Sequence, residues 1–130
     1  MPHTMRRLEG ESIIVATYIP PLDPVKDVVD ADKEVHALAK DIVGLVFQIT
    51  DTRQTKPTLD VIIEGMAEMR RSVPVDPRFR TIIVGTEEMV KLGAQAAKQA
   101  QYGERMMPVF ATVEEAIEYA RTELAKSKAT

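Results

Sequence analysis

The stretch VGLVFQITDTRQTKPTLD, residues 43–60, joins two patterns of different period. Its first part, VGLVFQI, is a continuous apolar run of strand length, which is typical of a strand buried on both faces of a parallel sheet. The run ends at Asp51, and a polar loop with three threonines leads to Leu59, where apolar residues begin to recur at helical spacing. A buried strand followed by an amphipathic helix indicates the α/β class.

The same alternation extends in both directions. TMRRLE, a turn at Gly10 and SIIVATYI predict an antiparallel hairpin, while TIIVGT and MPVFAT predict two further buried strands. Asp23 and Pro24 are typical of a helix start, and the residues after them repeat at steps of 3 and 4. The apolar positions of this first helix are Val28, Ala31, Val35, Leu38 and Ile42.

Three more helices are predicted by the same reasoning, at residues 59–73, 87–103 and 112–126. The element order is β-β-α-β-α-β-α-β-α within a single domain spanning residues 1–130. We therefore expect a mixed, mostly parallel sheet of four or five strands with four helices. Thr112 and Glu115 predict a capping box at the last helix, and Pro108 predicts that the last strand either lies at an edge or begins at that residue.

Composition restricts the functional classes. The chain has 130 residues, 45% of them hydrophobic, a net charge of −3 and no cysteine. These values favour a cytoplasmic protein without disulfides or a thiol nucleophile. No apolar run approaches the roughly 20 residues of a membrane span. The chain has no tryptophan, and aromatic residues make up 5% of it. A nucleic-acid partner is therefore not favoured, because few aromatic side chains are present on which bases could stack.

A binding site is expected where the parallel strands end, because ligands of open α/β sheets bind at that rim. The loop after the strand at residue 51 is the longest polar part of this rim. Its threonines could accept a phosphoryl group, its N–H groups with Arg53 and Lys56 could hold a phosphate, and Asp51 could act as an acid or metal ligand. Ordinary turn and cap chemistry explains the same residues. The candidate rim residues are Asp23, Asp51, Thr52, Arg53, Thr55, Thr58, Gly85 and Thr86.

Known catalytic and nucleotide-binding signatures are absent from the sequence. It contains no G-x-G-x-x-G, no G-x-x-x-x-G-K-[ST] and no G-x-S-x-G. Of the two histidines, His3 is expected in a mobile terminus and His36 at a surface or boundary position of the first helix. We therefore predict no enzyme activity, no cofactor and no metal site.

The segment RFRTIIVGTEEMVKLGAQAAKQAQYGERMMPVFATVEEAIEYA, residues 78–120, resembles the second half of small bacterial proteins related to STAS domains, the anti-sigma-factor antagonists. The predicted element order is similar to theirs as well. In the phosphoregulated members, an Asp-Ser-Ser/Thr-Gly motif lies in the strand-to-helix loop, and its third residue is phosphorylated. Asp51 and Thr52 match the first two positions, but Arg53 occupies the phosphoacceptor position and Gln54 replaces the glycine. The resemblance thus implies a regulatory interaction module without an intact phosphoacceptor.

Three functional classes stay open at this point. A non-enzymatic interaction module is the leading prediction, and a small-ligand or lipid-binding protein that uses the rim is the alternative. An enzyme acting through Asp51 and Arg53 ranks last, because no nucleophile–base pair is evident. The sequence RMMPVF also predicts a protein partner or a homodimer that covers apolar surface near the last strand, through Met106, Met107 and Phe110.

Overall fold

The computed structural model describes residues 3–20, 26–55, 78–88, 91 and 108–129. Five strands and two helices are defined within these ranges. They are β1 (His3–Arg7), β2 (Ile13–Tyr18), α1 (Lys26–Leu38), β3 (Val46–Asp51), β4 (Phe79–Val84), β5 (Val109–Phe110) and α2 (Val113–Ala129).

The strands form one sheet in the order β1-β2-β3-β4-β5. Strand β1 pairs antiparallel with β2, and each later strand pairs in parallel with the one before it. The central register places Phe47 beside Ile13 on one side and beside Arg80 on the other. The prediction of a mixed, mostly parallel sheet in an α/β chain is confirmed.

Successive side chains of a strand point to opposite faces of the sheet, so each face presents apolar side chains to one helix. Helix α1 packs on one face of the sheet through Val35, which joins Ile14 and Val46 in a buried cluster. Helix α2 packs on the opposite face through two alanines. The buried cluster there consists of Ile13, Val15, Phe47, Ile49, Ile82, Val84, Ala116 and Ala120. Small residues on α2 allow the helix to approach the branched side chains of the strands closely.

The prediction of four helices is wrong for the described chain, which has α1 and α2. The predicted helix at 59–73 lies outside the described residues. Glu87, Glu88 and Lys91 are helical, but most of the predicted helix at 87–103 also lies outside them. The spacing of apolar residues identifies a face that could be buried. Since packing of that face supplies most of a helix's stability, spacing alone does not establish that a helix forms.

The apolar face of α1 also differs from the prediction. Ala31, Val35 and Ala39 are fully buried at steps of four residues, whereas Leu38 is 37% exposed. The helix ends at Leu38, and Ile42 reaches the core from the turn that follows. The sequence prediction assumed alternating steps of 3 and 4 residues, which put Leu38 on the buried face. In the structure, a row of residues four apart contacts the sheet, and Leu38 does not belong to that row.

The predicted turn at Gly10 and the predicted cap at Thr112 are confirmed, whereas the helix start predicted at Asp23 and Pro24 lies outside the described residues. Gly10 has a φ of 72° in the β1–β2 turn, a conformation that a side chain disfavours. Thr112 Oγ1 accepts a hydrogen bond from the N–H of Glu115 at 3.2 Å and donates one to Glu115 Oε1 at 3.0 Å. Strand β5 begins directly after Pro108 and lies at the edge of the sheet.

Within the described ranges, neither helix is long and apolar enough to cross a membrane. Phe110 is half-buried against the α2 side of the core, and Val109 pairs beside Ile83. Met106 and Met107, which the sequence assigns to a partner surface together with Phe110, lie outside the described residues.

Candidate functional site

The rim loop after β3 is organised around Asp51. Its Oδ1 accepts hydrogen bonds from the backbone N–H of Arg53 at 3.1 Å and from Arg53 Nε at 2.9 Å. Its Oδ2 accepts a third bond from Arg53 Nη2 at 2.9 Å. The Asp51 side chain is 6% exposed and that of Arg53 is 45% exposed. A buried carboxylate is thus neutralised by a bidentate guanidinium that reaches the surface.

The two described threonines of the loop, Thr52 and Thr55, bond to main-chain carbonyls. The N–H and the hydroxyl of Thr52 both donate to the carbonyl of Val84, each at 2.9 Å. Thr55 likewise donates to the carbonyl of Thr52 through its N–H at 3.2 Å and its hydroxyl at 3.1 Å. Thr52 therefore joins the loop to the end of β4, and Thr55 closes a turn. These contacts are the ordinary turn chemistry that the sequence offered as an explanation of the loop.

Among the described residues, two carboxylates act on the partly exposed guanidinium of Arg53. The hydrogen bonds that Arg53 donates to Asp51 raise the pKa of Arg53, and the charge of Glu114 at the start of α2 raises it further. An added phosphate would have to compete with one bonded carboxylate and approach a second one. The surroundings of Arg53 are consequently poorer for a phosphate than the sequence alone indicates.

The remaining rim residues fall into two groups. Gly85 donates its N–H to the carbonyl of Phe110 at 3.0 Å, which extends the β4–β5 ladder by one bond. Thr86 is half-buried and precedes the helical residues Glu87 and Glu88. Asp51, Thr52 and Arg53 therefore lie together in one loop. The hydrogen bonds from Thr52 to the carbonyl of Val84 join this loop to the end of β4, which Gly85 follows. Asp23 and Thr58 lie outside the described residues.

Sequence reasoning missed a polar cluster on the α1 side of the sheet. His3 lies in β1 rather than in a mobile terminus, is 6% exposed, and places its Nε2 2.6 Å from Glu34 Oε2. Its Nδ1 is buried without a hydrogen-bond partner among the described residues. The ring of His3 meets that of Tyr18 edge-on, with centroids 6.4 Å apart.

The charge around Tyr18 completes this cluster. Burial raises the pKa of the Tyr18 hydroxyl well above its usual value, and the negative charges of Asp32 and Asp27 raise it further. A signal was available in the sequence: Asp27 and Glu34 are seven residues apart, which places them on one face of a helix. Strand alternation places His3 and Met5 on the same side of β1, the side that faces α1.

His36 occupies the boundary position that the sequence predicts. Its Nε2 lies 3.5 Å from Asp32 Oδ2, and its ring stacks on Phe79 with centroids 4.1 Å apart. Arg78 lies over the same phenyl ring, 5.5 Å from its centroid. These contacts bind the end of α1 to the start of β4. Across the described residues, no group of three or more acidic or histidine side chains is placed to hold a metal ion.

Comparisons of the chain with protein-family models, curated proteins and solved structures found no significant match.

Proposed function

We propose that this chain is a non-enzymatic interaction module, and that a protein partner binds the rim loop at residues 51–55. The resemblance of residues 78–120 to STAS-related proteins supports this reading, because their strand-to-helix loop is a regulatory surface. A mixed, mostly parallel sheet with a hairpin at one edge accords with the same resemblance. The lack of cysteine makes the cytoplasm the expected compartment.

The observation that carries the proposal is the bonding of the loop itself. Asp51 and Thr52 are buried, and their polar atoms bond to Arg53 and to the carbonyl of Val84. A catalytic hydroxyl would need a base that can accept its proton, whereas the hydroxyl of Thr52 donates to a main-chain carbonyl. The loop therefore has the character of a fixed surface.

Arg53 is the residue of this loop best suited to contact a partner. Two of its five guanidinium N–H groups bond to Asp51, and the side chain is 45% exposed. The pair with Asp51 holds the guanidinium in one orientation, so a partner would lose little conformational entropy in binding it. Arginine held in this way is a common energetic anchor of protein interfaces.

The test uses two double variants with matched chemistry. Asp51→Asn/Arg53→Gln removes both charges of the rim pair and keeps groups that can hydrogen-bond. Glu11→Gln/Arg121→Gln does the same to a bidentate pair at the other end of the sheet. Both variants, with the wild type, are used as bait in extracts of the native organism, and bound proteins are identified by mass spectrometry.

We expect a partner that the wild type and the Glu11/Arg121 variant retain and that the Asp51/Arg53 variant loses. Retention of the same partners by all three folded proteins would contradict the assignment of the rim. Analytical ultracentrifugation decides whether the partner is a second copy of the chain, which we include in the proposal as a homodimer. A wild type that is monomeric at high concentration would exclude that form.

A further inference from the structure

A cleft lies at the end of the sheet opposite the rim, between the start of the central strands and the last turns of α2. Its volume is about 480 Å³, within the range of roughly 300–1,000 Å³ that is common for small-molecule sites. The residues that line it are Leu45, Phe47, Arg80, Thr81, Ile82, Pro108, Tyr119, Glu123, Lys126 and Ser127.

The floor of the cleft is apolar and aromatic. Phe47 and Ile82 come from neighbouring strands, and the ring of Tyr119 meets that of Phe47 edge-on at a centroid distance of 6.3 Å. Tyr119 also contacts Phe110, with centroids 5.4 Å apart. Leu45 is half-buried at the side of the cleft. Such a floor suits the hydrocarbon part of a ligand.

The charged lining is unequal in sign. Arg80 comes from β4, immediately beside Phe47, and Lys126 comes from α2. Glu123 is the single carboxylate among the lining residues, and its Oε2 lies 3.9 Å from Lys126 Nζ. Within the described part of the lining, two cations and one carboxylate give a net positive charge. An anionic group is therefore favoured over a cationic one at its polar side.

Helical periodicity explains why these groups converge. Tyr119, Glu123, Lys126 and Ser127 are spaced by 4, 3 and 1 residues, so they share one side of α2. Burial raises the pKa of the Tyr119 hydroxyl most, the charge of Glu123 raises it further, and the charge of Arg80 opposes both by lowering it. Tyr119 therefore provides both an apolar ring and a polar tip between charges of opposite sign.

We propose that this cleft binds a small organic carboxylate with an apolar body, such as a medium-chain fatty acid. The carboxylate meets Arg80 and Lys126, and the apolar body lies on Phe47, Ile82 and Tyr119. This site is separate from the rim loop, which lies at the carboxyl ends of the strands. Its failure would leave the proposed interaction through Arg53 unaffected.

Isothermal titration calorimetry with three probes below their micelle concentrations tests the proposal. Decanoate carries both the anion and the apolar body, acetate carries the anion alone, and decylamine carries the body with the opposite charge. We expect saturable binding of decanoate at least about tenfold tighter than that of either other probe, because only decanoate can both accept hydrogen bonds from Arg80 and Lys126 through its carboxylate and cover the apolar floor. Equal binding of decylamine would overturn the proposal.

Variants locate the binding site. Arg80→Gln should weaken decanoate binding about tenfold. Lys126→Glu, at a side chain that is 71% exposed, should weaken it without affecting folding. Arg6→Gln is the matched control, because Arg6 is an exposed arginine of the distant edge strand on the same side of the sheet as Arg80. Unchanged binding in folded Arg80→Gln and Lys126→Glu would overturn the proposal.

Methyl NMR gives an independent position for the ligand. Decanoate should shift the methyl resonances of Leu45 and Ile82 and leave that of Ala31, on the α1 side, unchanged. Shifts confined to the α1 side of the sheet, or to the rim near Thr55, would place the ligand elsewhere and contradict the assignment.

Discussion

Two arginine–carboxylate pairs of similar geometry lie at opposite ends of this sheet. At the rim, Arg53 bonds to Asp51 through Nε and Nη2, both at 2.9 Å. At the other end, Arg121 of α2 bonds to Glu11 of the β1–β2 turn through the same two atoms, at 2.8 and 3.0 Å. The first pair spans two residues of the chain and the second spans 110.

Burial, rather than geometry, separates these two pairs. The side chain of Asp51 is 6% exposed, while that of Glu11 is 30% exposed. A buried carboxylate that loses its partner bears the cost of desolvation, whereas an exposed one is solvated by water. The short-range pair is therefore expected to matter more for stability than the pair that joins distant parts of the chain. The hydrogen-bond distances alone would not distinguish the two pairs.

The largest expected effect is at the rim. Arg53→Gln leaves the Asp51 carboxylate buried and without its cation, so we expect a loss of about 1–3 kcal/mol in the free energy of unfolding. Urea denaturation followed by circular dichroism measures this loss. Asp51→Asn/Arg53→Gln is the control and should recover part of it, because the unpaired charge is gone. If Arg53→Gln is as stable as the wild type, burial of Asp51 does not make the rim pair the more important one.

Next in size is the hydroxyl that fastens the rim loop to β4. Thr52→Val removes the 2.9 Å bond to the carbonyl of Val84 but keeps the N–H that bonds to the same oxygen. We expect a loss of about 0.5–1.5 kcal/mol in the free energy of unfolding, measured by the same urea titration. Thr122→Val is the control, because the hydroxyl of Thr122 also donates to a carbonyl but is exposed. Equal losses for the two variants would contradict a special role of burial.

The same burial predicts that Thr52 is not phosphorylated. Its side chain is buried, and its hydroxyl bonds to Val84, while Arg53 occupies the phosphoacceptor position of the related motif. Intact mass spectrometry of protein purified from its own organism should show no stoichiometric phosphate at Thr52 or Thr55. The prediction for Thr58 stands on the sequence motif alone. A phosphate at Thr52 would show that the loop opens, and a phosphate at Thr55 or Thr58 would contradict the prediction from the motif.

The smallest effect concerns the exposed pair and its response to acid. The hydrogen bond from Arg121 lowers the pKa of Glu11 below 4.5, its unperturbed value. A lowered pKa in the folded state stabilises the protein above pH 4.5, and this contribution disappears as the pH falls through the folded-state pKa. Urea midpoints measured from pH 7 to pH 2 should therefore decrease slightly less for Glu11→Gln than for the wild type. Identical profiles would mean that the pair contributes nothing.

The central sheet was predictable because its signals are local. The run VGLVFQI indicates a doubly covered strand, and the buried residues Val46, Phe47 and Ile49 agree with it. Gly10, Pro108 and the Thr112–Glu115 cap act over a few residues, so their chemistry can be recognised from spacing. Ordinary turn chemistry could be proposed for the rim loop from the sequence for the same reason.

What the sequence could not supply depends on contacts between distant residues. The burial of His3 requires that α1 bring Glu34 to β1 from 31 residues away; helical spacing groups Asp27 with Glu34, but no local pattern shows that their face meets β1. The exposure of Leu38 follows from which row of α1 meets the sheet. The pairing of Arg53 with Asp51 is local, but two residues in a polar loop have many alternative partners. The burial that makes this pair important is a property of the assembled sheet.

The outermost strands have a consequence for aggregation. Strand β5 contributes two residues to the ladder and follows a proline, which has no N–H to donate. At the opposite edge, β1 carries the exposed charges of Arg6 and Arg7. Short strands, prolines and edge charges all oppose the addition of a foreign strand. The protein should therefore resist growth into fibrils by sheet extension, even though most residues of its central strands are apolar.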